Sequence, residues 1–316
     1  MKRVLIVHYS QTGQLRDIVA SFRAPLEQSR DIEVTSITLR PVRPYPFPWP
    51  FWQFFNTFPE CVYEDPDPLE PLALAPDAEF DLIVIAYTVW FVSPNLPTTA
   101  FLQSPEAARL IRGKPVITLI GCRNMWLMAQ ERMKEHIAKL GGHLIDNVAL
   151  VDLAYMAATF VSTPMWMLTG KRGPFLGGRI PAAGIPPEEI ARASRFGAAI
   201  ARQLPLRHAG DYTPMLRGLS AVSINEGLIA SETITRRSFR MWGGLLRALG
   251  NRQSITRRLV LGLYVLFLIT LILTVVPISA IVKRVLRPLT RARTQRQRAY
   301  FAAPSGESSE HLDQRA

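Results

Sequence analysis

The run Ser10-Gln-Thr-Gly-Gln-Leu15 packs two hydroxyls, two carboxamides and a glycine into six residues, directly after the apolar stretch RVLIVHY at 3–9. Beyond it Leu15, Ile18, Val19, Phe22 and Leu26 recur at the spacing of one helix face. A short Ser/Thr/Gly turn between a buried strand and a helix gathers hydroxyls and unpaired backbone N–H groups at the helix N-terminus. The helix dipole adds positive potential there. Such a turn binds anions, phosphate above all. It has neither the GxGxxG spacing of a dinucleotide turn nor the Gly-Lys-Ser/Thr of a triphosphate loop.

Two later stretches carry further candidates. In YTVWFVSPNLPTTAFL (87–102), Trp90 offers a flat apolar face, with Thr88, Val89 and Phe91 beside it. In GCRNMW (121–126), Gly121, Cys122, Arg123, Asn124 and Trp126 follow another apolar run. Cys122 reads either as a redox-active thiol or as a small apolar filler. Arg123 reads either as an anion-stabilising group or as a solvated side chain. His8 lies within the first apolar run and reads as a core residue. His136 and His143 lack metal-ligand spacing, so no metal is expected, and no Ser/His/Asp arrangement can be drawn.

The elements that must position these residues alternate. RVLIVHY (3–9), DIEVTSITL (31–39), FDLIVIAY (80–87), KPVITLIG (114–121) and HLIDNVALVD (143–152) read as strands, with helices after 15, around 97–111, over 125–140 and over 186–204. Near-continuous apolar strands separated by amphipathic helices imply an α/β doubly wound, parallel five-stranded sheet. Ligands of such sheets bind at the carboxyl ends of the strands, where the chain reverses its order. All three candidate stretches follow strands and fall at those ends. Two insertions interrupt the alternation, about 41–77 and 153–185.

On these residues the first 205 residues resemble the flavodoxin superfamily. Ser10, Gln11, Thr12, Gly13 and Gln14 fall on its phosphate-loop pattern, Ser/Thr-x-Thr-Gly-x-Thr, and Leu15 replaces the last hydroxyl. The resemblance implies FMN as cofactor, with Trp90 and Trp126 bracketing the flavin ring. Thr88, Val89, Phe91, Gly121, Cys122, Arg123 and Asn124 would line it, with Cys122 and Arg123 the catalytic candidates.

The first insertion opens with YPFPWPFWQFF. From Tyr45 to Phe58 eight residues in fourteen are aromatic. Farther on, LVLGLYVLFLITLILTVVPISAIV (259–282) runs 24 residues without a charge. As a helix it would be about 36 Å long, enough to cross a bilayer core. The formal net charge is +12, and fourteen Lys/Arg without one Asp or Glu lie between Arg236 and Arg298, so the rest of the chain sums to −2. The basicity therefore flanks the apolar run and suits anionic lipid headgroups; no nucleic-acid partner is implied. Seven cations stand on each side, a tie under the positive-inside rule. A single span is the working expectation, with a re-entrant segment turned at Pro277 as its alternative. In the connector 206–258, over 234–250, Phe239, Trp242, Leu245, Leu246 and Leu249 share a helix face opposite arginines, an interfacial pattern with a docked surface helix as its alternative. A basic, then polar tail occupies 283–316. The two cysteines make no disulfide framework. The N-terminal apolar run is too short for a signal peptide. The main domain is expected on the cytoplasmic side of the cytoplasmic membrane.

VHYSQTGQL, PYPFPWPFWQFF with FPE (58–60), and the hydrophobic anchor ending in FAAPSGES together resemble the bacterial family labelled dialkylresorcinol condensing enzyme. That resemblance implies a role in making dialkylresorcinols or aryl polyenes, beside partner enzymes of the same biosynthesis. No activated Cys with His partners supports condensation chemistry. A flavin suits the aromatising oxidation of a lipophilic cyclohexanedione-type intermediate. Trp49, Trp52 and Phe55, with 153–185, would wall its alkyl chain; the alternative is an extended, proline-braced arm. Rival readings are a membrane-bound electron carrier or quinone reductase and a flavin-free scaffold.

Overall fold

The computed structural model describes residues 1–312, without the side chains of 156, 276, 277 and 279–289. Pro277, part of the basic flank after it and the last four residues of the tail therefore lie outside the described residues. In chain order the elements are β1 (Lys2–His8), α1 (Gln14–Glu27), β2 (Ile32–Thr38), α2 (Phe51–Tyr63), β3 (Leu82–Tyr87), β4 (Val89–Trp90), β5 (Ser93–Pro94), α3 (Leu96–Leu102) and α4 (Pro105–Ile111). They continue as β6 (Pro115–Cys122), α5 (Leu127–Lys139), β7 (His143–Val151), α6 (Met156–Thr169), α7 (Pro187–Arg192), α8 (Ser194–Gln203), α9 (Glu226–Ala248) and α10 (Ile255–Ala302).

The main sheet has the order β2-β1-β3-β6-β7, every pair parallel. Leaving aside the small β4–β5 ladder, this is the 2-1-3-4-5 order of the flavodoxin-like doubly wound fold. Successive residues of a strand serve opposite faces. Val4 and Ile6 enter a core with α1 and α8, whereas Leu5 and Val7 enter one with α2, α5 and α9. On α1 the buried residues are Leu15, Ile18, Val19, Phe22 and Leu26, the face expected from their spacing. Each such burial contributes roughly 1.5–3 kcal/mol.

The expected helix over 186–204 divides into α7 and α8, and that around 97–111 into α3 and α4. At α3 and α4, Asn95 and Ser104 cap new N-termini by accepting the N–H groups of Thr98 and Ala107. The aromatic insertion corrects the extended-arm alternative. Between 44 and 63 only 44–50 is irregular; from Phe51 to Tyr63 the chain is helical, α2 beginning directly after Pro50. Its Phe58 stacks on Tyr264 of α10 at 4.7 Å and lies 5.5 Å from Phe239 of α9. The interfacial reading of 234–250 changes in the same way. Phe239 and Leu246 are buried against the protein, so α9 spends that part of its apolar face on docking. On α10, residues Ile255–Val275 are long and apolar enough to cross a membrane, with mean hydropathy 2.4.

Candidate functional site

The three loops expected to form a site meet at the carboxyl edge of the sheet. In the first, Gly13 stands before α1 with φ +87°, the left-handed region that favours glycine. Ser10 Oγ accepts the Arg16 N–H at 3.1 Å and Thr12 Oγ1 accepts that of Gln14 at 3.4 Å. Among the described residues the N–H groups of Gln11, Thr12 and Gly13 find no protein acceptor. Free backbone donors of this kind, ahead of a helix N-terminus, suit an anion.

Two expected contacts in this loop are corrected. Leu15 is 1% exposed and turned into the core, where it and Ile18 press on Gly121; a Cβ there would meet Ile18 Cδ1 at 2.8 Å. Leu15 therefore contributes no side chain to an anion, and Gly121 serves the close packing of α1 on β6. Gln14 is spent on the second insertion. Its Nε2 donates to the Ile185 carbonyl and its Oε1 accepts the Ile185 N–H, both at 3.2 Å.

In the second loop Thr88 accepts from Asn95, which ties the loop to the start of α3. Val89 and Trp90 pair with Ser93 and Pro94 across a turn in which Phe91 and Val92 have φ +49° and +59°. A bulky or β-branched residue there is a genuine outlier, costing on the order of 1–3 kcal/mol. Packing holds it: Phe91 lies among Phe54, Phe58 and Phe239, 5.0–6.3 Å between ring centres. Phe91 thus points into the α2–α9 cluster and not toward a ligand beside Trp90.

Trp90 is 9% exposed. Tyr9, Tyr45 and Trp49 meet it edge to face at 6.0, 5.0 and 5.6 Å. Trp126 is buried ahead of α5 and makes no ring contact with Trp90 among the described residues. The bracket expected from sequence is therefore closed here, because the irregular arm 44–50 folds over Trp90. Tyr9, Tyr45 and this covering arm are the parts that the sequence reading missed. Tyr9 sits immediately before Ser10, which is the one signal that could have found it.

The planned wall divides. Trp49 is buried beside Trp90, and its backbone N–H donates to the Met167 carbonyl of α6 at 2.8 Å. Phe55 packs on Phe51 and Phe54 within α2. Trp52 is 48% exposed and lines a cleft of about 430 Å³ with Arg43, Tyr45, Arg252, Arg258 and Leu261. Tyr45 borders both this cleft and Trp90.

In the third loop, burial pushes the Cys122 thiol up, with Glu232 adding to the shift. A protonated thiol is a poor nucleophile, which favours the filler reading. Arg123 is pulled down to about 10 by burial, opposed by Asp152. Its Nε donates to Thr159 Oγ1 at 2.9 Å and its guanidinium lies 4.3 Å over Phe160. Arg123 thus fastens α6 to the loop. Asp152, also missed, accepts the Gly184 N–H at 2.8 Å at the carboxyl end of β7. Asn124 is half-buried. Cys61 and Cys122 are both free thiols.

Buried polar atoms without partners gather around the covering arm: Gln11 Oε1, Tyr45 Oη and Trp49 Nε1. Gln11 Nε2 meanwhile donates to Pro46 O at 2.7 Å, which joins the first loop to the arm. Each orphan costs about 1–3 kcal/mol, so the site is short of polar contacts. The donor-rich loop and these atoms fit a phosphate-bearing ligand with an aromatic, hydrogen-bonding body.

No protein-family model matches this chain, and no curated protein matches it. Among solved structures it is similar to a flavoprotein in complex with FMN from Lactobacillus acidophilus NCFM, at 16% identity over 47% of this chain and 93% of that one, TM-score 0.38. It is also similar to a flavodoxin, WrbA-like protein from Agrobacterium tumefaciens, at 9% identity over 66% and 100%, TM-score 0.36. A third is oxidised Flavodoxin 1 from Bacillus cereus, at 11% identity over 62% and 95%, TM-score 0.32. The flavodoxin-like assignment itself rests on the strand order.

Proposed function

We propose that the chain is a membrane-attached flavoprotein that holds FMN at these three loops and oxidises a lipophilic ring compound. One observation carries the reading. The 2-1-3-4-5 sheet brings the Ser10–Gln14 turn, the Trp90 loop and the Cys122–Trp126 loop to one edge, beside buried polar atoms that lack partners. The free N–H groups of 11–13 would hold the phosphate, and Gln11, Tyr45 and Trp49 would offer polar contacts to the ring system. FMN, when bound, supplies a hydride acceptor.

The residues around it favour an apolar substrate. Trp90, Tyr45 and Trp49 exclude water. The cleft at Tyr45 is lined from α10 by Leu261 and Arg258. Together with the resemblance of VHYSQTGQL and PYPFPWPFWQFF to the dialkylresorcinol family, this supports a cyclohexanedione-type intermediate with an alkyl chain. Loss of two hydrogens, one as hydride and one as a proton, turns such a ring into the resorcinol. A cleft that reaches the ring cluster favours substrate turnover over electron carriage between proteins.

The test compares Trp49→Ala and Trp52→Ala on short- and long-chain cyclohexanediones, with the full chain loaded with FMN. Both variants should raise the apparent KM for long chains far more than for short ones. Equal effects on both would remove the alkyl wall from the account. No oxidation of either by the loaded wild type would remove the activity.

A further inference from the structure

The outward surface of α10 is apolar: Leu259, Leu263, Leu266, Phe267, Ile269 and Leu273 are all exposed. Yet both of its ends are fastened to the α/β domain. At its start Arg257 is 2% exposed and bonds Asn56 and Glu60 of α2 at 2.9 Å. Near its end Tyr300 Oη donates to Glu131 of α5 at 2.6 Å, and Arg298 pairs with Glu226 of α9 at 3.3 Å. The chain then docks beside β7. Ser305 is 1% exposed; its Oγ donates to Asp146 Oδ1 at 2.7 Å and accepts the Asn147 N–H at 2.8 Å. Farther on, the Ser220 N–H donates to the Ser308 carbonyl at 2.7 Å, and the His311 N–H to that of Gly218 at 2.8 Å.

We infer that the apolar segment enters and leaves the bilayer on one side, seated in the leaflet that faces the domain, and does not cross it. A single crossing would put the bilayer between Ser305 and its partners Asp146 and Asn147. Two crossings would need a second apolar run. The sequence after the run, Lys283–Arg298, instead carries seven cations. Each costs about 2.5–3.5 kcal/mol at the membrane centre.

The path through the protein agrees. Arg257 contacts Glu60; Glu64, four residues on at the C-cap of α2, contacts Arg132; Glu131 beside it contacts Tyr300. Three side-chain contacts and one helical turn fall well short of the about 65 Å that a straight helix from 257 to 300 would measure. The same arrangement resolves the charge tie. Both basic flanks then face one headgroup layer, where each cation contributes about 1 kcal/mol toward an anionic surface. The partner is therefore the near leaflet of an anionic bilayer.

The experiment uses the full chain in vesicles of the expressing bacterium. Arg30→Cys reports the domain and Ser309→Cys the tail; both positions are exposed. The parent, with its native cysteines, is the control. A membrane-impermeant maleimide should label both variants in inverted vesicles and neither in right-side-out ones. Labelling from opposite sides would overturn the inference, as would recovery of the chain in the soluble fraction. A fluorophore at Leu266→Cys should be quenched more strongly by lipids labelled near the headgroup than by those labelled at the chain end. The reverse order would overturn it as well.

Discussion

The two faces of the sheet are built from different materials. Toward α1 and α8, Val4, Ile6, Val84 and Ile117 meet Leu15, Ile18 and Ile200, and the buried rings are Phe22 and Phe196. Toward α2, α5 and α9 the core holds Tyr9, Trp49, Phe58, Tyr87, Trp90, Trp126, Phe239 and Tyr264. The aliphatic face is closed by helices of the regular alternation. The aromatic face carries α2 from the first insertion and the helices that follow the α/β unit. On it, rings follow one another from Tyr9 through Trp90, Trp49, Phe54, Phe91 and Phe58 to Tyr264, with neighbouring centres 4.7–6.0 Å apart. The candidate site and the apolar helix α10 are thus parts of one packed body. One face stabilises the scaffold; the other also carries α10.

Truncating one ring on each face should separate those tasks. Phe22→Ala and Phe58→Ala should each cost about 3–5 kcal/mol, since both are fully buried. Only Phe58→Ala should also speed amide exchange across the first turns of α10. Exchange raised equally by both would break the comparison. Denaturant melts in detergent give the first quantity, hydrogen-exchange mass spectrometry the second.

The ion pair at the foot of α10 sharpens it. Glu60 is buried with Arg257. Arg257→Ala leaves that carboxylate with Arg252 alone, 3.6 Å away, and should cost up to about 3 kcal/mol. The double change Glu60→Leu with Arg257→Met should recover most of it. A single-variant loss too small to measure would mean that α10 is only loosely held.

A pH-dependent effect also belongs to the aromatic face. Burial raises Glu232 to about 8, even though it accepts the N–H groups of Met128 and Leu127 at the start of α5. Its folded pKa lies above the unfolded one, so its contribution is complete at low pH and is lost as pH rises. The decline should run between about pH 5 and pH 8, at up to about 1.4 kcal/mol per unit, then level off. Glu232→Gln should abolish it. A variant with the wild-type slope in a melting series would place the proton elsewhere.

Legibility followed the same division. The five strands and the buried face of α1 were readable because apolar periodicity alone decides them. The phosphate-type turn was readable from residue types at a strand–helix junction. The aromatic insertion was not, since prolines at 44, 46, 48 and 50 suggested an arm and hid the helix after them. Nor could Trp90 show its cover, which depends on Tyr45 and Trp49 arriving from another loop. Docking of the tail was invisible for a different reason. FAAPSGES is short and mixed, and Ser305 is buried by its hydrogen bonds to Asp146 and Asn147 rather than by any pattern.

The central claim is that the first loop seats the phosphate of a flavin. It is tested most directly by titrating the purified full chain with FMN and with riboflavin, which lacks the phosphate, while following flavin fluorescence. The account predicts binding of FMN on the order of a hundredfold tighter than of riboflavin, a difference of about 2.7 kcal/mol. Gly13→Val, strained at φ +87°, should erase most of that preference. Equal binding of the two flavins, or binding of neither, would contradict it.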